Sequence, residues 1–164
     1  MQATYCFSMR KLFFKCVRDF CLQAIIFIAL FVFNSCGDAE RDEFPRRNFS
    51  GFFDLRFSEY SQNVFTARRD MDGNLVGVNG IVVYNSGDSY YAFDLMCPHE
   101  KSSGCSLTVD IENDPLIAVC QCCGSKFLLA SPYGEILEGP AEQSLHVYDA
   151  GVNANNILVV YSGY

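Results

Sequence analysis

IVVYNSGDSYYAFDL, Ile81 to Leu95, places two runs rich in β-branched and aromatic residues on either side of Asn85-Ser86-Gly87-Asp88. Such residues suit a pleated, half-buried surface, and Asn, Gly and Asp supply the backbone angles of a tight turn. The stretch therefore reads as a β-hairpin. Upstream, FFDLRFS alternates apolar and polar residues over Phe53 to Phe57, the period of a strand buried on one face. RDMDGNLVG carries the turn pair Asp72-Gly73. Downstream, LIAVC, SKFLLA, EILEG, LHVYDA and ILVVY follow one another at short spacing. No sustained helical period and no internal repeat interrupts them. Many short strands separated by Gly, Asn and Pro turns imply an all-β domain, an antiparallel sandwich or barrel.

The chain has 164 residues, 50% of them hydrophobic, with no tryptophan and a formal net charge of −7. That length suggests one domain with appendages and enough apolar material for one packed core. The charge is unevenly placed. In residues 1–35, Arg10, Lys11, Lys15 and Arg18 face only Asp19, so the remainder is more acidic than the total. An acidic body lacks the clustered Lys and Arg that phosphate contacts need, which argues against nucleic acid as a partner.

MRKLFFKCVRDF (Met9 to Phe20) is basic, and CLQAIIFIALFVFNSC (Cys21 to Cys36) is apolar as far as Phe33. The uncharged run is shorter than the roughly 20 residues of a spanning helix. A basic segment, an apolar segment and Ser35 before Cys36 describe a secretory signal, residues 1–35. Met9 is an alternative start. The arrangement resembles a bacterial lipoprotein signal, in which Cys36 becomes the lipidated N-terminus; an uncleaved membrane anchor is the competing reading. Residues 36–51, acidic and containing Pro45, read as a flexible tether. Acids directly after the lipidated cysteine resemble the surface-export signal of some Gram-negative lipoproteins. The expected location is the cell envelope, on the outer membrane of a Gram-negative bacterium, facing the periplasm or the surface. The β domain is expected over 52–164.

Setting aside Cys6, Cys16 and Cys21 of the leader, and Cys36, five cysteines remain: Cys97, Cys105, Cys120, Cys122 and Cys123. Outside the reducing cytosol disulfides are permitted, but five cysteines cannot all pair within one chain. They fall in two loops. DLMCPHEKSSGC (Asp94 to Cys105) also carries His99, and VCQCCGSKF (Val119 to Phe127) holds three cysteines in four positions. Each loop follows an expected strand, so two hairpin tips can meet around one centre. Converging thiolates and an imidazole suit iron or zinc. Spacing does not determine connectivity, and a Cys97–Cys120 pair or a free Cys122 is compatible with it.

AFDLMCPHE followed by VCQCCGSKFLLASPYGEILEGPAEQSLHVY resembles a Rieske-type [2Fe-2S] domain, over most of Phe52 to Tyr161 and densely from Tyr91 to Tyr148. It is similar also to secreted Rieske-like lipoproteins of Gram-negative bacteria. The family pattern is Cys-x-His, then Cys-x-x-His-Gly-Ser-x-Phe/Tyr, then Gly-Pro-Ala. Cys97 and His99 match the first pair, Cys120 the third ligand, Gly124 and Ser125 the Gly-Ser, and Gly139-Pro140-Ala141 the loop that covers the cluster. Cys123 stands where the fourth ligand is histidine. The resemblance implies metal ligands Cys97, His99, Cys120 and Cys123, cluster contacts from Ser125, Gly124 and Pro140, and a Cys105–Cys122 disulfide joining the loops. It implies a Rieske-like antiparallel sandwich or barrel, with the two Cys-rich loops at the tip of a small cluster-binding subdomain. The implied function is one-electron transfer to and from a redox protein partner, without substrate chemistry. A catalytic oxygenase of this kind carries a large second domain, and the residues after Tyr148 are too few for one.

In such a centre Cys97 and Cys120 would hold one iron, with His99 and Cys123 on the other. A thiolate in place of a neutral imidazole adds negative charge and lowers the potential. Two-His centres span about −150 to +300 mV and plant-type all-Cys centres lie near about −400 mV, so this one is expected between them. His99 alone could couple a proton to oxidation. Ser125 could donate to a cluster sulfur, while Phe127 replaces a tyrosine hydroxyl found in some members. Without a cluster, the thiols of an oxidising compartment would pair, leaving a disulfide-stapled binding or structural lipoprotein. Zinc in a three-Cys, one-His site is the third reading. His146 is read as an ordinary strand histidine.

Overall fold

The computed structural model describes residues 44–163. The expected leader, Cys36 and residues 36–43 of the expected tether lie outside the described residues. Those residues form ten strands and no helix: β1 (Ser50–Asp54), β2 (Val64–Ala67), β3 (Ile81–Asn85), β4 (Tyr90–Asp94), β5 (Leu107–Asp110), β6 (Asp114–Cys120), β7 (Lys126–Leu128), β8 (Ile136–Glu138), β9 (Val147–Val152) and β10 (Ile157–Tyr161). Six make one antiparallel sheet, in the order β1-β10-β9-β4-β3-β2, and β5-β6-β7-β8 make a second. The fold is all-β, a curled half-barrel with a smaller sheet attached.

The β3–β4 hairpin organises the larger sheet. Its last pair is Asn85↔Tyr90, and the loop between them closes on its own side chains. Asn85 Oδ1 accepts from the Gly87 amide at 2.8 Å, and Ser86 Oγ from the Ser89 amide at 3.1 Å. Gly87 takes a φ of 94°, a conformation costly for a residue with a Cβ. Strand alternation then sends successive cross-strand pairs to opposite faces. Val82 and Phe93 pack with Ala118, Phe127 and Leu129 of the smaller sheet's segment. Val83 and Ala92 pack on the other face with Phe53, Phe65, Leu158 and Val160. Both faces of the hairpin are thus buried. The sheet curls until its ends approach, the Phe53 and Phe65 rings of β1 and β2 lying 5.6 Å apart.

The smaller sheet is a single insertion between β4 and β9. These two strands are themselves paired, Ala92↔Tyr148 and Phe93↔Val147, so the insertion leaves and re-enters at one place. Its long loops therefore project from a fixed base.

Several local expectations differ from the structure. β1 stops at Asp54 instead of running to Phe57, because the Phe57 amide bonds back to the Asp54 carbonyl at 3.0 Å and Arg56 folds onto the Asp54 carboxylate. Phe57 is 55% exposed. The tight turn expected at Asp72-Gly73 is present, the Gly73 amide donating to the Asp70 carbonyl at 3.0 Å inside the isolated bridge Arg69↔Leu75. β2 (VFTA) and β5 (LTVD), each four residues long, lie outside the expected strands. β1 begins at Ser50. Before it, Phe44 stacks on His146 at 4.5 Å and Phe49 meets Tyr148 edge-on at 4.8 Å.

Candidate metal centre

Three loops meet at one end of the smaller sheet. The first, between β4 and β5, is anchored by a buried acid. Asp94 is fully buried, and its carboxylate accepts from the amides of Val78, Asn79 (3.2 Å) and Met96 (2.6 Å) and from the Tyr148 hydroxyl (2.7 Å). Four donors replace the water such a group gives up on burial. The loop next closes on itself: Met96 bridges Ser106, the Cys97 amide donates to the Cys105 carbonyl at 3.3 Å, and the Lys101 amide donates to the Cys97 carbonyl at 2.9 Å. Asn79 Nδ2 reaches Ser106 Oγ at 3.1 Å from outside.

The second loop joins β6 to β7 in a tight turn. The Cys120 amide donates to the Ser125 carbonyl and the Gly124 amide to the Cys120 carbonyl, both at 2.9 Å, with Gly124 at a φ of 75°. Ser125 is buried. Its hydroxyl accepts from the Ala141 amide at 3.0 Å, which fastens the third loop, Gly139-Pro140-Ala141, onto the second. The contact at Gly139 is close enough that an added Cβ would stand 2.5 Å from the Ser125 Cα, and its φ is 103°. Only glycine fits there. Gly124 and Pro140 are exposed at the tip.

Cys105 and Cys122 form a disulfide across the first two loops, with Cα atoms 5.9 Å apart. Among the described residues the remaining three cysteines are free, Cys97 and Cys120 buried and Cys123 half-buried. Their sulfurs all lie within 4.8 Å of one another. Cys97 Sγ and Cys123 Sγ are 3.7 Å apart, and the Cys123 thiol donates to Ser125 Oγ at 3.2 Å. His99 is exposed and its nitrogens are outside this set. The structure thus brings together three of the four expected ligands and holds Ser125 against them. His146 takes no part; it stacks on Phe44 and meets Tyr148 edge-on.

The thiols differ electrostatically. Burial, against the pull of the Glu100 and His99 amides, pushes Cys97 up to about 12. Burial also raises Cys123, but hydrogen bonds with the Ser125 hydroxyl and amide, and with Cys120 and Cys97, outweigh it and leave Cys123 below the ordinary thiol value. Of these two, Cys123 ionises first.

Asp94 and Tyr148 support the site and were not singled out from the sequence; Gly139 was, as part of the Gly-Pro-Ala loop. One signal was available for Asp94: it is the lone acid in the apolar run YYAFDLM. A charge inside a strand buried on both faces must be paired or fully hydrogen-bonded.

Fold and site together define an all-β protein with a preformed nest of thiols at the meeting of clamped loops. A model of the Rieske [2Fe-2S] domain matches residues 58–149, and the chain belongs to that family. No curated protein matches the chain. The donors present fit the family's cluster by type: three convergent soft thiols, a histidine two residues beyond Cys97, and a hydroxyl against one sulfur.

Proposed function

We propose that this is an exported, lipid-anchored Rieske-type iron–sulfur protein that carries single electrons to and from a protein partner and converts no substrate itself. The convergence of Cys97, Cys120 and Cys123 on clamped loops carries the reading. Cys97 and Cys120 would hold one iron and His99 with Cys123 the other. When bound, the [2Fe-2S] group supplies a one-electron couple. The chain supplies the setting: the Cys105–Cys122 bridge and the Ser125–Ala141 contact keep the loops in place. Cys123 adds a negative charge where an imidazole would be neutral, which lowers the potential. His99, exposed, is the one ligand able to exchange a proton with solvent.

The basic leader, the apolar run to Phe33 and the Ser35-Cys36 pair support export and lipidation at Cys36. On this reading the domain is tethered to the outer membrane, in the envelope of a Gram-negative bacterium. Mass spectrometry of the mature N-terminus tests this, and an unprocessed Met1 or Met9 end would refute it.

Absorption and low-temperature EPR spectra of anaerobically purified protein, with iron and sulfide counted, test the electron carrier. Visible charge-transfer bands and a signal on reduction support it. A colourless, iron-free protein favours the second reading, a disulfide-stapled scaffold with a binding or structural role. The exposure of His99 and the 3.7 Å approach of Cys97 and Cys123 sulfurs are the observations on that side.

A further inference from the structure

The donors of a two-iron core must stand in two pairs. Here three thiols make a single set, and the histidine is outside it. Three sulfurs around one zinc ion, each at about 2.3 Å, lie about 3.8 Å apart in tetrahedral and about 4.0 Å apart in trigonal geometry. The Cys97–Cys123 separation is 3.7 Å and the whole set falls within 4.8 Å. The Cys97–Cys123 separation is that of two donors to one ion, and Cys120 stands close enough to both to complete the set.

We infer that, when free of iron and sulfide, Cys97, Cys120 and Cys123 form a three-thiolate site for a single thiophilic cation, Zn2+. The set contains no carboxylate, so hard cations such as Mg2+ and Ca2+, which take oxygen donors, are excluded. The site is preorganised. Cys120 sits at the end of β6, Cys97 is held by the loop that Asp94 anchors, and the disulfide ties Cys105 to Cys122 beside Cys123. Binding therefore orders little that is not already ordered. Ser125, fixed by the Ala141 amide, keeps the Cys123 sulfur facing the other two. Cys97 and Cys120 are buried and Cys123 is half-buried, so the fourth coordination position opens on the Cys123 side, to water.

This inference does not rest on the electron-transfer reading. The cluster needs His99 as a ligand; the single-ion site does not.

The test uses the full chain, anaerobic, stripped of iron and sulfide and with its disulfide intact. Co2+ is titrated as the coloured probe and displaced with Zn2+. A sulfur-to-cobalt band saturating at one equivalent is expected. Cys97→Ser, Cys120→Ser and Cys123→Ser should each weaken binding by more than about 100-fold, beyond what loss of a supporting hydrogen bond costs. Ser125→Ala should cost about tenfold, and His99→Ala less than that. A second measurement needs no variant: Zn2+ should shield Cys97, Cys120 and Cys123 of the native chain from alkylation, as mapped by mass spectrometry. Two equivalents, no sulfur band, an His99→Ala loss equal to the cysteine losses, or shielding of fewer than all three thiols would each overturn the inference. A protein that gains the cobalt band but never a cluster refutes the electron carrier and leaves this site standing.

Discussion

The two sheets are held in different ways. Each face of the β3–β4 hairpin in the larger sheet packs into its own apolar cluster, so its order comes from many buried side chains along paired strands. In the smaller sheet β7 and β8 are three residues each, too short to fix anything by pairing alone. Its tip is held instead by discrete links: one disulfide, the Ser125 hydroxyl, the close approach at Gly139 and the buried Asp94 at its base. Distributed burial tolerates a single loss by degrees. Discrete links fail one at a time, and each failure is local.

Breaking the larger sheet should produce the largest effect. Phe53 is fully buried between the Tyr60 and Phe65 rings, and Phe53→Ala should cost about 3–5 kcal/mol by cavity formation. Denaturant unfolding should show the whole domain destabilised, while thiol spacing in the surviving folded fraction is unchanged.

The counterpart is Cys105→Ser with Cys122→Ser. Opening a link across a sequence separation of 17 should cost about 3 kcal/mol by loop entropy. Unlike Phe53→Ala, it should also loosen the thiols. Alkylation of Cys97 in the metal-free protein should accelerate well before global unfolding, and equal rates in the two variants would erase the distinction between the sheets.

Tyr148→Phe sits between the two regimes, because β9 belongs to the larger sheet and its hydroxyl reaches the base of the smaller one. Removing one of four donors to a buried carboxylate should cost about 1–3 kcal/mol. Calorimetry should record it as a lowered Tm.

The smallest effect belongs to His146. Burial lowers its pKa, Arg46 adds to this and Asp94 opposes it. With the folded value below an unfolded value of about 6.5, the unfolded chain binds more protons. The contribution to stability is complete above about pH 6.5 and is lost as pH falls through the folded value. Phe44→Ala, by uncovering the ring stacked at 4.5 Å, should raise the His146 pKa in an NMR titration. No movement would mean that the stack does not desolvate it.

What was legible in the sequence follows the same division. The hairpin at Ile81–Leu95 could be read because alternation and turn chemistry are local and repeat over fifteen positions. The run to Phe57 misled because a single local bond, Phe57 to Asp54, ended the strand where the pattern continued. β2 and β5 offered four residues each, fewer than a period-2 pattern needs to stand out. The two cysteine loops and the Gly-Pro-Ala segment were recognisable as residue types at set spacing.

By itself, then, the sequence determined an all-β domain, its central hairpin and the three loops that carry its chemistry, since these depend on neighbours within a few residues. Only the tertiary structure decided that Cys105 pairs with Cys122, that Cys97, Cys120 and Cys123 form one set without His99, and that Asp94 and Tyr148 support it. Those relations join residues from separate strands. Which sulfur meets which is set by how the insertion between β4 and β9 folds back on its base, a distance that no spacing along the chain records.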